Sequence, residues 1–253
     1  MKLIFFGSGA FGLPTLTRLA ETHELLAVVT QPDRPAGRRR QPTATPVGEW
    51  SAAQRPDLPL LKPEDVNDAE PLTQLRAMDA AAWVVIAFGQ KLSQSLLADR
   101  FAINLHASLL PRWRGAAPIH RAVLAGDEIT GNSVITLAER MDAGAVLGQS
   151  RRAIGETETS GDLHDLLAAD GPDLVLRVLE ACRAGSLKSE VQDEAAVTLA
   201  RKLSREEAVV DWNEAASVCR ARINGYSPWP GITIGRESAS LKLLRAGPGP
   251  AVR

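Results

Sequence analysis

Continuous apolar runs alternate with helically spaced apolar positions through the first 150 residues. Residues 2–6 form an apolar run ending at Gly7, and residues 25–29 form a second ending at Gln31-Pro32-Asp33. Further runs lie at 58–61, 82–87 and 102–105. Runs that are apolar throughout, rather than alternating, fit strands covered on both faces. Between the first two, Leu13, Leu16, Leu19 and Ala20 recur at helical spacing over 12–21, and residues 47–54 and 68–79 also read as helices. Strand–helix alternation of this kind predicts an α/β domain with a mostly parallel sheet and right-handed crossovers. Further along, 117–126 reads as a helix, and strands at 133–137 and 145–154 flank a loop at 138–144. Residues 160–184 have helical spacing, with a break predicted at Gly171-Pro172. The stretch 189–194 is polar and linker-like. A helix at 214–223, a turn at 226–231 and two short strands at 231–234 and 240–244 complete the pattern.

Composition narrows the class. The 253 residues suit one large domain, or one domain plus a smaller module, with an ordinary globular mixture of 45% apolar and 23% charged residues. Such a chain buries a core without disulfides or a structural metal. Cys182 and Cys219 lack metal-ligand spacing and read as separate reduced thiols of a cytosolic protein. No apolar run reaches the roughly 18 residues of a membrane span. A net charge of −1 excludes a generic basic nucleic-acid binder but not one local basic patch.

Four features carry candidate chemistry. Gly7-Ser8-Gly9-Ala10-Phe11-Gly12 follows a strand and precedes a helix, the context of a dinucleotide fingerprint. The second strand ends Val28-Val29-Thr30-Gln31, without the acid such a site needs, so the glycines are expected to allow close packing of the first turn. Asn104 and His106 stand two apart at the carboxyl end of a strand and so share a face. That end of an open α/β sheet is where ligands bind. An amide donor beside an imidazole can stabilise a developing oxyanion and move a proton near neutral pH. A strand-capping His106 is the alternative. Asp142, in Met141-Asp142-Ala143-Gly144, offers a carboxylate that would favour and orient a charged imidazole if the loop reached it; otherwise it is an ordinary turn residue. Arg34, Arg38, Arg39 and Arg40 crowd one Pro/Gly loop, which suits an anionic ligand or a solvated surface. Arg112, Arg114 and Arg121 form a second basic set. The remaining histidines, His23, His120 and His164, read as structural. No His/Cys/carboxylate grouping suggests a catalytic metal.

These residues also carry a resemblance. Thr30-Gln31-Pro32-Asp33-Arg34-Pro35-Ala36-Gly37-Arg38, the run from Asn104 through Ser108-Leu109-Leu110-Pro111 to Ile119, and Met141-Asp142-Ala143-Gly144 resemble the methionyl-tRNA formyltransferases. So do Val191-Gln192-Asp193-Glu194, Lys202-Leu203-Ser204-Arg205-Glu206-Glu207-Ala208 and Pro228-Trp229-Pro230-Gly231. The resemblance implies a Rossmann-like formyltransferase domain at 1–187, a linker at 188–210, and an incomplete barrel of the OB type at 211–253. It implies transfer of a formyl group from 10-formyltetrahydrofolate to the α-amine of methionine on initiator methionyl-tRNA, by a cytoplasmic monomer that uses neither metal nor membrane. By motif, Asn104, His106 and Asp142 would be the catalytic trio. Ser108, Leu109, Leu110 and Pro111 would bind folate, Phe88, Gly89 and Gln90 would line the pterin pocket, and Arg34, Arg38, Arg39 and Arg40 would contact tRNA. An OB barrel needs five strands, and only two strand candidates follow Trp229. Residues 211–253 carry six basic side chains (Arg220, Arg222, Arg236, Lys242, Arg245, Arg253) against Asp211, Glu214 and Glu237. A formyltransferase acting on a nucleotide-linked amino sugar, a non-catalytic tRNA-binding relative and a nicotinamide oxidoreductase are the competing readings.

Overall fold

The structure is a computed structural model that describes residues 1–36, 41–236 and 239–249. The apolar runs form the strands they predict. In chain order the elements are β1 (Lys2–Gly7), α1 (Leu13–Thr22), β2 (Glu24–Val29), β3 (Arg34–Ala36), β4 (Gln41–Thr43), α2 (Pro46–Gln54), β5 (Leu60–Leu61), α3 (Ala69–Ala77), β6 (Ala82–Ile86) and α4 (Gln94–Leu97). Then follow β7 (Ala102–His106), β8 (Arg114–Gly115), α5 (Pro118–Leu124), β9 (Ile129–Thr136), β10 (Val146–Ala153), α6 (Ser160–Arg183), β11 (Leu199–Ala200), α7 (Ala216–Gly225), β12 (Ile232–Arg236) and β13 (Ala239–Leu243). Seven strands join in the order β10-β9-β7-β6-β1-β2-β5. The pairs β1–β2, β1–β6, β2–β5 and β6–β7 are all parallel, as unbroken apolar strands require. Among the described residues no helix is long and apolar enough to cross a membrane.

The chain divides into two compact units. The first comprises Met1–His106, Val134–Gly148 and Ala168–Val191. Its core includes Ile4, Phe6, Val29, Val66, Leu75, Trp83, Val85 and Phe88, side chains from β1, β2, β6, α3 and their connections. The second comprises Ala107–Ser133, Gln149–Leu167 and Gln192–Arg253 and gathers Ala117, Leu203, Ile223, Tyr226 and Ile232 in a core of its own. Its hairpin β12–β13 is antiparallel, and the chain beyond it returns to earlier residues. The Asn224 amide exchanges hydrogen bonds with the Ala246 backbone, and Arg245 forks onto the Asp162 carboxylate at 2.8 and 2.9 Å.

Two expectations are corrected. The break at Gly171-Pro172 is absent, and α6 runs unbroken with Pro172 inside it. Pro172 withholds the N–H that would meet the Ala168 carbonyl, and one residue before that carbonyl the buried Asn132 side chain donates to Leu167 at 2.8 Å, tying this turn of the helix to β9. Gly171 has a packing reason: a Cβ there would stand 2.7 Å from Leu105 and 3.1 Å from the Thr15 hydroxyl. The polar stretch after Ser189 is also held rather than loose. Glu190 pairs with Val146, β11 pairs with β8, and the buried Arg114 guanidinium bonds Gln192 and Glu194. Its polarity serves specific partners, which local pattern does not reveal.

Asp162 sets a pH dependence. Arg245 first, aided by hydrogen bonds from Thr159, lowers its pKa to about 2 from the ordinary 3.8. A folded-state pKa below the unfolded one means stability that is present above pH 4 and lost as pH falls toward 2. The stability gap between wild type and Asp162→Asn is expected to close across that window in acid-unfolding curves; a gap independent of pH would refute the assignment.

Candidate active site

The strand order reverses between β1 and β6, and ligands of open α/β sheets bind beside the carboxyl ends at such a point. The turn after β1 is locked onto the end of β6. The Ser8 and Gly9 amides donate to the Ala87 carbonyl at 3.1 and 3.3 Å, and the Ser8 hydroxyl donates to the Phe88 carbonyl at 2.9 Å. Gly7 is required by proximity, since a Cβ there would meet the Phe5 ring at 2.5 Å and the Ile86 carbonyl at 2.9 Å. The glycines therefore do the packing work expected of them. After β6 the backbone turns through left-handed conformations at Ala87 (φ 48°) and Gly89 (φ 87°). A Cβ makes that region costly for Ala87, and such outliers persist where surrounding contacts hold them.

Asn104 and His106 occupy the end of β7, with Asn104 in register with Val85 of β6. His106 is buried and Asn104 half-buried. Among the described residues no side chain or backbone group hydrogen-bonds the Asn104 amide. Asp142 meets this pair: its Oδ2 lies 3.7 Å from His106 Nδ1, within ion-pair range, and both side chains are largely shielded from solvent. The loop that carries Asp142 closes at its base, where the Thr136 amide donates to the Ala145 carbonyl and the Ala145 amide to the Thr136 hydroxyl. Asp142 itself is left-handed (φ 53°), a conformation that Asp tolerates. Gly144 follows because a Cβ would fall 1.7 Å from the Thr136 carbonyl oxygen. Sequence alone left Asp142 open between partner and turn residue; the fold brings it to His106.

In the segment at 88–90 two side chains have partners within the protein. Phe88 turns its ring into the core, edge-on to Phe6 at 5.6 Å, because an apolar side chain beside β6 gains more from burial there. Gln90 directs its amide at residues 63–66. Its Oε1 accepts from the Val66 amide at 2.7 Å, and its Nε2 donates to the Pro63 and Glu64 carbonyls at 3.1 and 3.2 Å.

In the second unit, residues 108–111 hang on a small polar network. The fully buried Ser108 donates to the Arg112 carbonyl at 2.7 Å. Ser133 donates to the Ser108 carbonyl and accepts from the Leu110 amide, and Gln149 donates to the Leu110 carbonyl. Leu109 and Pro111 are half-buried. Sequence reasoning missed Ser133 and Gln149; the available signal was a serine heading a predicted apolar strand.

The basic residues are mostly engaged. Arg34 opens the hairpin β3–β4, where a loop was expected, and bonds Glu64 at 2.5 Å. Arg38, Arg39 and Arg40 lie outside the described residues. Arg112, Arg114 and Arg121 pair with Asp127, Glu194 and Glu207, so the second basic set ties the second unit together instead of waiting for an anion. In the tail, Arg220 faces Glu156, Arg222 donates to the Val209 and Glu207 carbonyls, and Lys242 donates to the Pro228 carbonyl. No three His, Cys, Asp or Glu side chains among the described residues are grouped to hold a metal.

Comparison with known proteins gives the family. The formyl transferase family matches residues 1–179, and the formyl transferase C-terminal domain matches 202–252. The methionyl-tRNA formyltransferase of Coxiella burnetii is 41% identical over 249 residues, 97% of this chain and 79% of that protein. That of Moorella thermoacetica is 42% identical over the same span and coverage. A solved N-formyltransferase from Helicobacter canadensis, in complex with folinic acid and dTDP-3-aminofucose, superposes with a TM-score of 0.69 at 13% identity, over 89% of this chain and 80% of that one. At that identity the last likeness speaks for the fold alone. With a Rossmann-like sheet, a short C-terminal region of small antiparallel strands and about 40% identity to these enzymes over nearly its whole length, the chain belongs to the methionyl-tRNA formyltransferases.

Proposed function

We propose that this protein transfers the formyl group of 10-formyltetrahydrofolate to the α-amine of methionine on initiator methionyl-tRNA, in the cytoplasm and as a monomer. The observation that carries the reading is the His106–Asp142 approach at the carboxyl end of β7, where the half-buried Asn104 shares the face of His106. The folate supplies an activated formyl group when bound. A half-buried side-chain amide with no partner among the described residues is a ready donor to the oxygen of a carbonyl under attack, where negative charge develops. His106, buried against a carboxylate, donates to the same charge and takes part in moving the amine proton. Asp142, 3.7 Å from Nδ1, sets the ring's orientation. The polar network that shapes 108–111 supports the folate role carried by its motif, and the exposed backbone at 87 and 89 supports a contact there. Arg34, with Arg38, Arg39 and Arg40, supplies positive charge for tRNA phosphates. Relatives at about 40% identity favour tRNA over an amino sugar as acceptor.

The test is formylation of methionyl initiator tRNA with purified enzyme. Asn104→Ala is expected to lower kcat by about 10²-fold with little change in either KM, the usual cost of losing one donor to developing charge. Equal turnover in the variant would remove Asn104 from the machinery, and formylation of a nucleotide-linked amino sugar in preference to tRNA would overturn the acceptor.

A further inference from the structure

The stretch expected to be a linker runs back, within the second unit, along the loop that carries the folate motif. Gln192 and Glu194 hold the Arg114 guanidinium, and Leu199 and Ala200 pair in parallel with Arg114 and Gly115. Between them stands Thr198, half-buried, with all three of its polar groups spent on one turn of that loop. Its amide donates to the Pro111 carbonyl at 3.4 Å, its carbonyl accepts from the Arg114 amide at 2.9 Å, and its hydroxyl oxygen accepts from the Trp113 amide at 2.9 Å. The turn needs holding. Trp113 is left-handed (φ 64°), a costly conformation for a bulky side chain that persists where surrounding contacts fix it. Its ring is fixed as well: Nε1 donates to Asp127 at 2.7 Å, and the Arg112 guanidinium lies 5.2 Å from the ring centroid.

The Trp113 amide belongs to the same peptide group as the Arg112 carbonyl, and that carbonyl accepts from the Ser108 hydroxyl at 2.7 Å. A peptide group is rigid and planar. The Thr198 and Ser108 hydroxyls therefore grip opposite ends of one rigid unit, and each bond polarises that unit in favour of the other. Ser108 is fully buried, and the Arg112 amide closes the same turn on the Leu109 carbonyl at 3.1 Å. We infer that Thr198 is a positioning residue for the formyl donor. Its hydroxyl fixes the Arg112–Trp113 peptide, the peptide fixes Ser108, and Leu109 and Pro111, only half-buried, keep a set geometry at the surface. Thr198 acts through the loop and does not itself touch the donor. The consequence for folate rests on the reading of 108–111 proposed above. The link from Thr198 to Ser108 rests on the bonds alone.

Thr198→Val keeps the size and branching of the side chain and removes the acceptor, leaving the Trp113 amide without its partner. KM for 10-formyltetrahydrofolate is expected to rise about fivefold, the equivalent of one net hydrogen bond, with kcat and KM for methionyl-tRNA little changed. Kd for tetrahydrofolate, measured by calorimetry in the absence of tRNA, is expected to rise by the same factor. Thr198→Ser restores the hydroxyl and is expected to return both constants to their wild-type values. Hydrogen exchange of peptides covering 108–114 should quicken in the Val variant and not in the Ser variant. A purely structural role would lower the active fraction, and with it the apparent kcat, while moving neither constant. That result would overturn the inference, as would a Ser variant as weak as Val, or unaltered exchange over 108–114. A wild type that binds no tetrahydrofolate would refute the folate reading, and the exchange measurement would still decide whether Thr198 holds the loop.

Discussion

His106→Ala is expected to reduce kcat by about 10³-fold or more, since it removes both a donor to developing charge and the group that moves the proton. The ring is buried at the end of β7, with the Asp142 carboxylate 3.7 Å from its Nδ1. The fold should survive, because the core of the first unit is built from β1, β2, β6 and their helices and does not depend on this side chain. Binding of tRNA and folate should therefore persist while turnover fails. Single-turnover kinetics separate these. A variant that binds both substrates and forms no product is the expected result, and one that retains a tenth of wild-type turnover would deny His106 its role. Asp142→Asn is the gentler companion. Asn also tolerates the left-handed backbone at this position, so the loop is kept and only the charge beside His106 is lost.

Gly144→Ala is expected to do the larger structural damage. One methyl group would stand 1.7 Å from the Thr136 carbonyl oxygen and 2.6 Å from its carbon, and backbone atoms cannot rotate aside as a side chain tip does. Overpacking of this kind typically costs about 1–3 kcal/mol. The strain falls on the two hydrogen bonds between Thr136 and Ala145 that close the loop, so Asp142 moves away from His106 as the loop opens. Urea unfolding should report the loss of stability, and kcat should fall with it. Wild-type stability together with wild-type turnover would mean that the loop absorbs a Cβ, contrary to the geometry.

These two expectations differ in how much of each the sequence discloses. The placement of Asn104 and His106 follows from an apolar run, its end and a period of two, all of which are local. The reason for Gly144 does not. Its backbone is not among the left-handed glycines, and the requirement comes from a carbonyl eight residues earlier across a closed loop. The arginines teach the same lesson from the opposite side. Read along the chain, Arg112, Arg114, Arg121, Arg220, Arg222 and Arg245 look like a basic surface awaiting an anion. Folded, each has a carboxylate or carbonyl partner, several of them about 80 residues distant. Charge counts register only how many cations exist, and pairing depends on what the fold brings near. Phe88 and Gln90 show it within a single motif, one taken by the core and the other by a backbone segment about 25 residues away.

By itself the sequence determined the order of the principal strands and helices, the parallel character of the sheet and the strand end at which chemistry would sit. Each of these is written in short-range periodicity and in the residues that interrupt it. Tertiary structure alone decided that Asp142 reaches His106, that α6 continues through Pro172, that most of the described basic side chains are already partnered, and that Gln90 bonds the backbone of residues 63–66. All four depend on contacts between residues far apart in the chain, and no local pattern encodes which distant backbone carbonyl or carboxylate will arrive within hydrogen-bond distance.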